Sequence, residues 1–287
     1  MIAAASQKPA LWRLVAGVVT AVALLFAWLF GTAVALSFAE GVSVSRALRA
    51  VFDGDPSSPA GALKFLLIVS GLGFSTILAA RLWQGRSAGS LIGPGARTLR
   101  HFAAAALITF GLAGLSMLVP SPVGAELERN MEVAVWLGWL PFTVFAVVAQ
   151  SGAEEVFFRG YLQSQIAARF RNPMIWLLLP ALLFGAAHYS SALPSKVALA
   201  YFAFAALFGL LAGDLTARTG SIGAAWGFHF ANNMIAVAFI AVDGTITGLG
   251  LFRSSVGIDA LADLSPWLLA DLGALILVWW LIRRVLD

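Results

Sequence analysis

The sequence has no cysteine and few charged residues, and each shortage excludes a class of protein. Without cysteine there can be no disulfide framework, no thiolate metal site and no cysteine nucleophile. Asp, Glu, Lys and Arg make up only 11% of the 287 residues, whereas 60% are apolar. A soluble globular chain carries about 25% charged residues, so this composition indicates an integral membrane protein. The net charge of +4 is modest and no basic stripe is present, which argues against a nucleic-acid partner.

Long apolar stretches predict the fold class. A helix needs about 20 apolar residues to cross the hydrocarbon core of a bilayer. The predicted spans are residues 11–38, 61–83, 102–119, 133–150, 174–189, 197–213, 222–242 and 266–282. The fourth continues into the segment that contains Glu154, and the fifth and sixth are short for a span. We therefore predict an all-α polytopic membrane bundle of about eight transmembrane helices, with residues 1–287 forming one integral membrane domain.

The distribution of Lys and Arg predicts the orientation of this bundle. Eleven of the 18 basic residues lie at one set of span ends, six lie at the other set, and Arg159 lies within an apolar stretch. Cytoplasmic ends carry the excess of positive charge, and an even number of spans places both termini on the same side. Both termini are therefore expected in the cytoplasm. The eleven residues are Lys8, Arg13, Arg81, Arg86, Arg97, Arg100, Arg169, Arg171, Arg218, Arg283 and Arg284.

Six polar residues stand inside the apolar stretches, where lipid-embedded helices normally carry Leu, Val or Phe. Ionisable groups at membrane depth cost several kcal/mol each, so they usually face a cavity and have a function. Two carboxylates, a guanidinium, two imidazoles and a carboxamide are the groups of which a hydrolytic site is made. These candidate residues are Glu154, Glu155, Arg159, His188, His229 and Asn233.

The spacing of the first three residues separates two roles. Glu155 and Arg159 are four apart, so on a helix they share a face and can form an ion pair. Glu154 points about 100° away and has no such partner, which suits a carboxylate that accepts a proton as a general base. A structural ion pair at a helix end is the alternative for Glu155 and Arg159, but it leaves the second glutamate unexplained.

The two histidines and the asparagine also have non-catalytic interpretations when each residue is considered alone. His188 follows an apolar stretch and could be an interfacial side chain, whereas His229 and Asn233 are four apart and could join two helices by a hydrogen bond. The helical rise nevertheless places Glu154, His188 and His229 at similar depths, towards the cytoplasmic half of the membrane. Convergence on one site is therefore the favoured interpretation. Helix geometry allows either Asn232 or Asn233 to face it.

Three motifs in this order resemble the CPBP intramembrane proteases, which comprise the type II CAAX prenyl endopeptidases, the bacteriocin-processing proteins and the lysostaphin-resistance-like branch. Glu154, Glu155 and Arg159 in the run EEVFFRGYLQ resemble the first motif. Phe184 and His188 are similar to the second motif, and His229 and Asn233 to the third. The resemblance places the catalytic core within residues 102–242 and leaves residues 1–101 as an N-terminal extension of two spans.

The resemblance implies an intramembrane endopeptidase that hydrolyses a peptide bond of a membrane-associated protein or peptide, whether or not that substrate is lipidated. Glu154 would be the general base, and His188 would help it to polarise a water molecule. His229 and Asn233 would stabilise the oxyanion, a task that preorganised donors in a low-dielectric site perform well. Glu155 and Arg159 would support the other groups, and the cytoplasmic (inner) membrane of a bacterium is the expected location.

Two alternatives remain open from the sequence. The family is described both as glutamate-dependent and as metal-dependent, and Glu154, His188 and His229 form a set that could hold zinc with an open position for water. The chain has no compact HExxH motif, so the preferred mechanism uses no metal. The other alternative is a non-enzymatic membrane scaffold or bacteriocin-immunity protein that retains the polar residues for packing.

Overall fold

The structure is a computed structural model that describes residues 1–52, 55–118, 126–255, 257–258 and 265–286. Helices dominate the described residues. The α-helices are α1 (Ile2–Ala5), α2 (Leu11–Glu40), α3 (Val44–Phe52), α4 (Pro59–Gln84), α5 (Ala88–Ile92), α6 (Gly95–Ser116), α7 (Val133–Glu155), α8 (Ser164–Ala167), α9 (Pro173–Ala187), α10 (Ser195–Thr219), α11 (Gly223–Met234) and α12 (Ser265–Leu286).

Each predicted span contains a helix, which confirms the prediction of a polytopic helical bundle. Among the described residues, five helical segments are long and apolar enough to cross a membrane: α2, α4, α6, the continuous segment Val133–Ala167, and α10. The protein is therefore an integral membrane protein. Helix α9 is apolar but has only 15 residues. The predicted end of the third span, Val119, lies outside the described residues.

Small residues bring the helices of the bundle into close contact. A Cβ atom added to Gly73 of α4 would lie 2.9 Å from the Ala153 Cα of α7. A Cβ atom on Gly209 of α10 would lie 3.0 Å from the Ala181 Cα of α9. Backbones approach this closely where helices pack by van der Waals contact rather than by a hydrophobic driving force. The contact between α4 and α7 lies at Ala153, directly before Glu154 and Glu155.

Two π-helices interrupt the α-helical geometry, and the sequence did not predict either of them. Helix α7 continues without a break into the first π-helix (Val156–Gln163), and α11 continues into the second (Ile235–Phe239). Helical turns with i→i+5 hydrogen bonds are rare in proteins, and those that do occur are often found at functional sites. The continuous helical segment that begins at Val133 ends at Ala167.

Arg86 braces the first π-helix from the loop that follows α4. Its guanidinium donates hydrogen bonds to the Ser164 hydroxyl at 2.8 Å and to the Gly160 carbonyl at 3.3 Å. The side chain is buried, and this burial lowers the pKa of Arg86 to about 10, with an opposing contribution from Tyr161. Arg86 therefore holds the helical segment that follows Glu154 and Glu155 through one hydroxyl and one carbonyl oxygen.

A small sheet, which was also not predicted, lies at the other end of the bundle. Strand β1 (Leu127–Arg129) pairs antiparallel with β3 (Phe252–Ser254), and β2 (Ile240–Ala241) pairs parallel with β3. Strands of two or three residues are too short to produce a period-two pattern in the sequence. The sheet connects the segment before α7 with the segment after the second π-helix. It therefore ties together the two elements that carry most of the candidate residues.

Candidate functional site

Two helical segments supply most of the candidate residues, and both are buried in the bundle. Glu154 and Glu155 end α7, and Arg159 lies on the first π-helix. His229 and Asn233 lie on α11. The exposed fractions are 8% for Glu154, 0% for Glu155, 2% for Arg159 and 4% for His229. Burial of four ionisable groups in one place requires that they compensate one another.

Glu155 is the centre of an ionic triad with Arg159 and His229. Its Oε1 accepts a hydrogen bond from the Arg159 Nη1 at 2.7 Å, as the spacing of four residues predicts. The same oxygen lies 2.8 Å from the His229 Nδ1. Because a carboxylate only accepts hydrogen bonds, Nδ1 carries the proton, which fixes the tautomer of the ring. Glu155 therefore orients His229 so that its Nε2 faces away from the triad.

The Nε2 atom of His229 faces the second glutamate. It lies 3.6 Å from the Glu154 Oε2. The Glu154 Oε2 is buried and has no hydrogen-bond partner among the described residues. Glu155 Oε2 and Arg159 Nη2 are likewise buried without partners. Buried polar atoms without partners are uncommon, and they mark positions where water, a proton or a substrate is accommodated.

Glu154 has a partner that the sequence reasoning missed. Gln150, one turn earlier on α7, donates from its Nε2 to the Glu154 Oε1 at 2.6 Å. The Gln150 Oε1 accepts a hydrogen bond from the Asn233 Nδ2 at 2.9 Å. Asn233, the residue that the family spacing selected over Asn232, is therefore connected to Glu154 through one side chain. A glutamine four residues before a glutamate in an apolar span was the sequence signal for this link.

His188 lies beside this group of residues rather than within it. Its Nδ1 donates to the Phe184 carbonyl at 2.8 Å, so a neutral ring keeps its lone pair on Nε2. The Phe184 ring packs against both histidines, with centroid distances of 4.5 Å to His188 and 5.8 Å to His229. Among the described residues, His188 forms no hydrogen bond or ion pair with Glu154. It is half-buried, which leaves its free edge accessible.

Aromatic rings enclose the triad. The Arg159 guanidinium carbon lies 4.6 Å from the centroid of the Phe184 ring. The Phe208 ring lies 4.9 Å from the His229 ring and 5.8 Å from the Phe184 ring. A cation above an aromatic face is attracted by the quadrupole of the ring, most strongly where water is excluded. Phe184 therefore packs against both histidines and the guanidinium.

The metal-dependent alternative requires three ligand side chains at one point. Among the described residues, no group of three His, Asp or Glu side chains is spaced to hold a metal. Of the alternative ligand set, Glu154 and His229 lie close together, whereas His188 forms no hydrogen bond or ion pair with Glu154 among those residues. Zinc needs three converging protein ligands in a catalytic site. The preference for a metal-free mechanism therefore stays a prediction.

The chain shows similarity to known proteins in the region that carries this site. Residues 136–235 match the family described as "Type II CAAX prenyl endopeptidase Rce1-like". Over 121 residues, the chain is 32% identical to the uncharacterized protein YyaK of Bacillus subtilis (strain 168). The alignment covers 42% of the chain and 40% of YyaK, so the chain spans less than half the length of that relative. No solved structure matches the chain significantly.

The family match confirms the resemblance that the three motifs predicted. The matched range begins before Gln150 and ends after Asn233, so it includes every candidate residue described above. The match covers the segment from within α7 to the start of the second π-helix. Residues 136–235 are thus similar to the Rce1-like family of type II CAAX prenyl endopeptidases.

Proposed function

We propose that the protein is an intramembrane endopeptidase that hydrolyses a peptide bond of a membrane-associated protein or peptide. The main support is the buried Glu154 Oε2, which has no hydrogen-bond partner among the described residues and lies 3.6 Å from the His229 Nε2 within the family-matched segment. A carboxylate oxygen kept free of partners in a water-excluded site can accept a proton from a bound water molecule.

In the proposed reaction, Glu154 takes a proton from water and the resulting hydroxide attacks the scissile carbonyl. The negative charge that develops on the carbonyl oxygen is stabilised by N–H donors on His229, when its ring is protonated, and on Asn233. Glu154 then gives its proton to the leaving amine, and the peptide C–N bond breaks. Glu155 and Arg159 hold His229 in place, since Glu155 fixes its tautomer.

His188 has a separate part in this proposal. Its Nε2 carries a lone pair that can accept a hydrogen bond from the attacking water or from a backbone N–H of the substrate. The half-buried ring lies at the end of α9 and packs against Phe184. This position suits contact with a peptide that enters from the more exposed side.

The family description supports a substrate class. We infer a polypeptide that ends in a CAAX sequence with a prenylated cysteine. The relative in Bacillus subtilis supports a location in the cytoplasmic membrane of a bacterium. A lipid anchor would hold such a substrate at the bilayer. A site in the cytoplasmic half of the membrane would then lie near the C-terminal residues of the substrate.

Cleavage of defined peptides tests this function. The purified protein in liposomes is incubated with a quenched fluorescent peptide that ends in farnesyl-Cys-aliphatic-aliphatic-Ser, and with the same peptide without the farnesyl group. Mass spectrometry identifies the bond that is cut. We expect cleavage after the modified cysteine. Cleavage of both peptides at equal rates would remove the prenyl requirement, and cleavage of neither would contradict the proposed peptidase.

A further inference from the structure

Gln150 is a buried carboxamide that the proposed chemistry leaves without a role. It is 7% exposed and lies on α7, one turn before Glu154. Its Nε2 donates to the Glu154 Oε1 at 2.6 Å, and its Oε1 accepts from the Asn233 Nδ2 at 2.9 Å. One side chain thus contacts both the proposed base and a proposed oxyanion donor, on two different helices.

The chemistry of the three groups fixes the direction of this chain of hydrogen bonds. An ionised carboxylate has no proton to donate, so Gln150 must present its NH2 group to Glu154. Its carbonyl oxygen then faces Asn233, which must in turn present an NH2 group. The amide orientations therefore follow from the charge of Glu154 rather than from a free choice of rotamer.

We propose that Gln150 is a positioning residue of the site. It holds the Glu154 Oε1 so that Oε2, the oxygen without a partner, faces the Nε2 of His229. At the same time it holds the NH2 group of Asn233 on the Glu154 side of α11. This assignment rests on the proposed function, because the positions of the base and the oxyanion donor matter only if the site performs hydrolysis.

Loss of the bridge has a defined consequence. Without the donor at Oε1, the Glu154 carboxylate can rotate, and its free oxygen no longer has a fixed position relative to His229. Asn233 loses its only described acceptor in the site. Substrate binding does not use these contacts, so the effect should fall on turnover rather than on binding.

The test compares Gln150→Met, which keeps the length of the side chain, with Ser151→Ala on the same helix. Ser151 is fully buried and its hydroxyl donates to the Val147 carbonyl within α7, so it controls for disturbance of the helix. With the farnesylated peptide, we expect kcat of Gln150→Met to fall roughly 10- to 100-fold, as expected for a hydrogen bond to a charged group. KM should stay within about twofold, and Ser151→Ala should resemble the wild type.

Gln150→Glu keeps an acceptor for Asn233 but places a second carboxyl group beside Glu154. The two carboxyl groups then share a proton, which hinders Glu154 as a base, so we expect its kcat to be at least as low as that of Gln150→Met. A thermal unfolding midpoint near that of the wild type shows that each variant is folded. Wild-type kcat in Gln150→Met, or a change in KM alone, would overturn the positioning role.

A readout that does not depend on cleavage separates this inference from the proposed function. The infrared carboxylate band of Glu154 is identified as the band that disappears in Glu154→Gln. We expect Gln150→Met to shift this band, because it removes a donor from the carboxylate, whereas Ser151→Ala leaves it in place. A shifted band in a protein that cleaves no peptide would support the bridge and reject the peptidase. An unshifted band would reject the bridge, whatever the activity.

Discussion

Glu155, Arg159 and His229 show how single residues keep charge inside an apolar bundle. The guanidinium is shared between one carboxylate oxygen and the face of Phe184, and the imidazole bonds to the same oxygen. The spacing of four residues was enough to predict the Glu155–Arg159 pair. It could not predict that His229 would share that carboxylate, because this contact depends on how α11 packs against α7.

Breaking the buried pair should cost far more than breaking a surface pair. We expect Glu155→Gln to lower the free energy of unfolding by about 3–5 kcal/mol, because it leaves the buried Arg159 charge without its partner. The matched control is Glu40→Gln, which breaks the exposed pair of Glu40 with Lys64 at 3.0 Å and should cost about 1 kcal/mol or less. Denaturant unfolding in detergent measures both. Equal losses for the two variants would contradict the account.

Gln150 and His188 mark what sequence reasoning could not decide at this scale. Gln150 lies in the predicted fourth span, and its spacing of four residues from Glu154 allows a hydrogen bond but does not distinguish packing from function. His188 was placed correctly near the end of a helix, yet its contact with the Phe184 ring depends on side-chain packing. Its role in activating water stays a prediction.

At the scale of elements, the first π-helix sets the geometry that follows the glutamate pair. Its wide turns begin at Val156, directly after Glu155, and carry Arg159 and Gly160. Gly160 lets the backbone of this element approach the Leu91 carbonyl of α5, and Arg86 bonds to the Gly160 carbonyl from the other direction. Helical period alone could not reveal the π-helix, since its apolar residues fit an α-helix equally well.

A methyl group at Gly160 should therefore disturb the site. The Cβ atom of Gly160→Ala would lie 2.7 Å from the Leu91 carbonyl oxygen, so the π-helix or α5 must move. We expect a loss of about 1–3 kcal/mol in the free energy of unfolding, as for overpacked cores, together with a fall in cleavage rate. Gly138→Ala is the control, because a Cβ atom there meets no other atom within 4 Å. A Gly160→Ala variant as stable and active as Gly138→Ala would contradict this role.

At the scale of the whole molecule, composition and apolar runs predicted the helical membrane bundle, because lipid requires every backbone polar group to be bonded within a helix. The small sheet of β1, β3 and β2 could not be predicted, since it joins distant segments through strands of two or three residues. Division of the chain into a core at 102–242 and an extension at 1–101 stays a prediction, as does the orientation.

The absence of cysteine makes the orientation easy to measure. We expect Lys8→Cys to be labelled by a membrane-impermeant maleimide only after the cells are opened, because the excess of positive charge places this end in the cytoplasm. Ser45→Cys, at the opposite end of α2, should be labelled in intact cells. Both positions are exposed. The reverse pattern of labelling would invert the assigned topology.

Turnover by the Glu154→Gln variant tests the central claim most directly. Glutamine keeps the shape of the side chain and an acceptor for Gln150, but it cannot take a proton from water. In liposomes with the farnesylated peptide, we expect the wild type to cleave and Glu154→Gln to be slower by at least about 100-fold, with an unchanged thermal midpoint. Cleavage by a folded Glu154→Gln protein at the wild-type rate would contradict the assignment of Glu154 as the base.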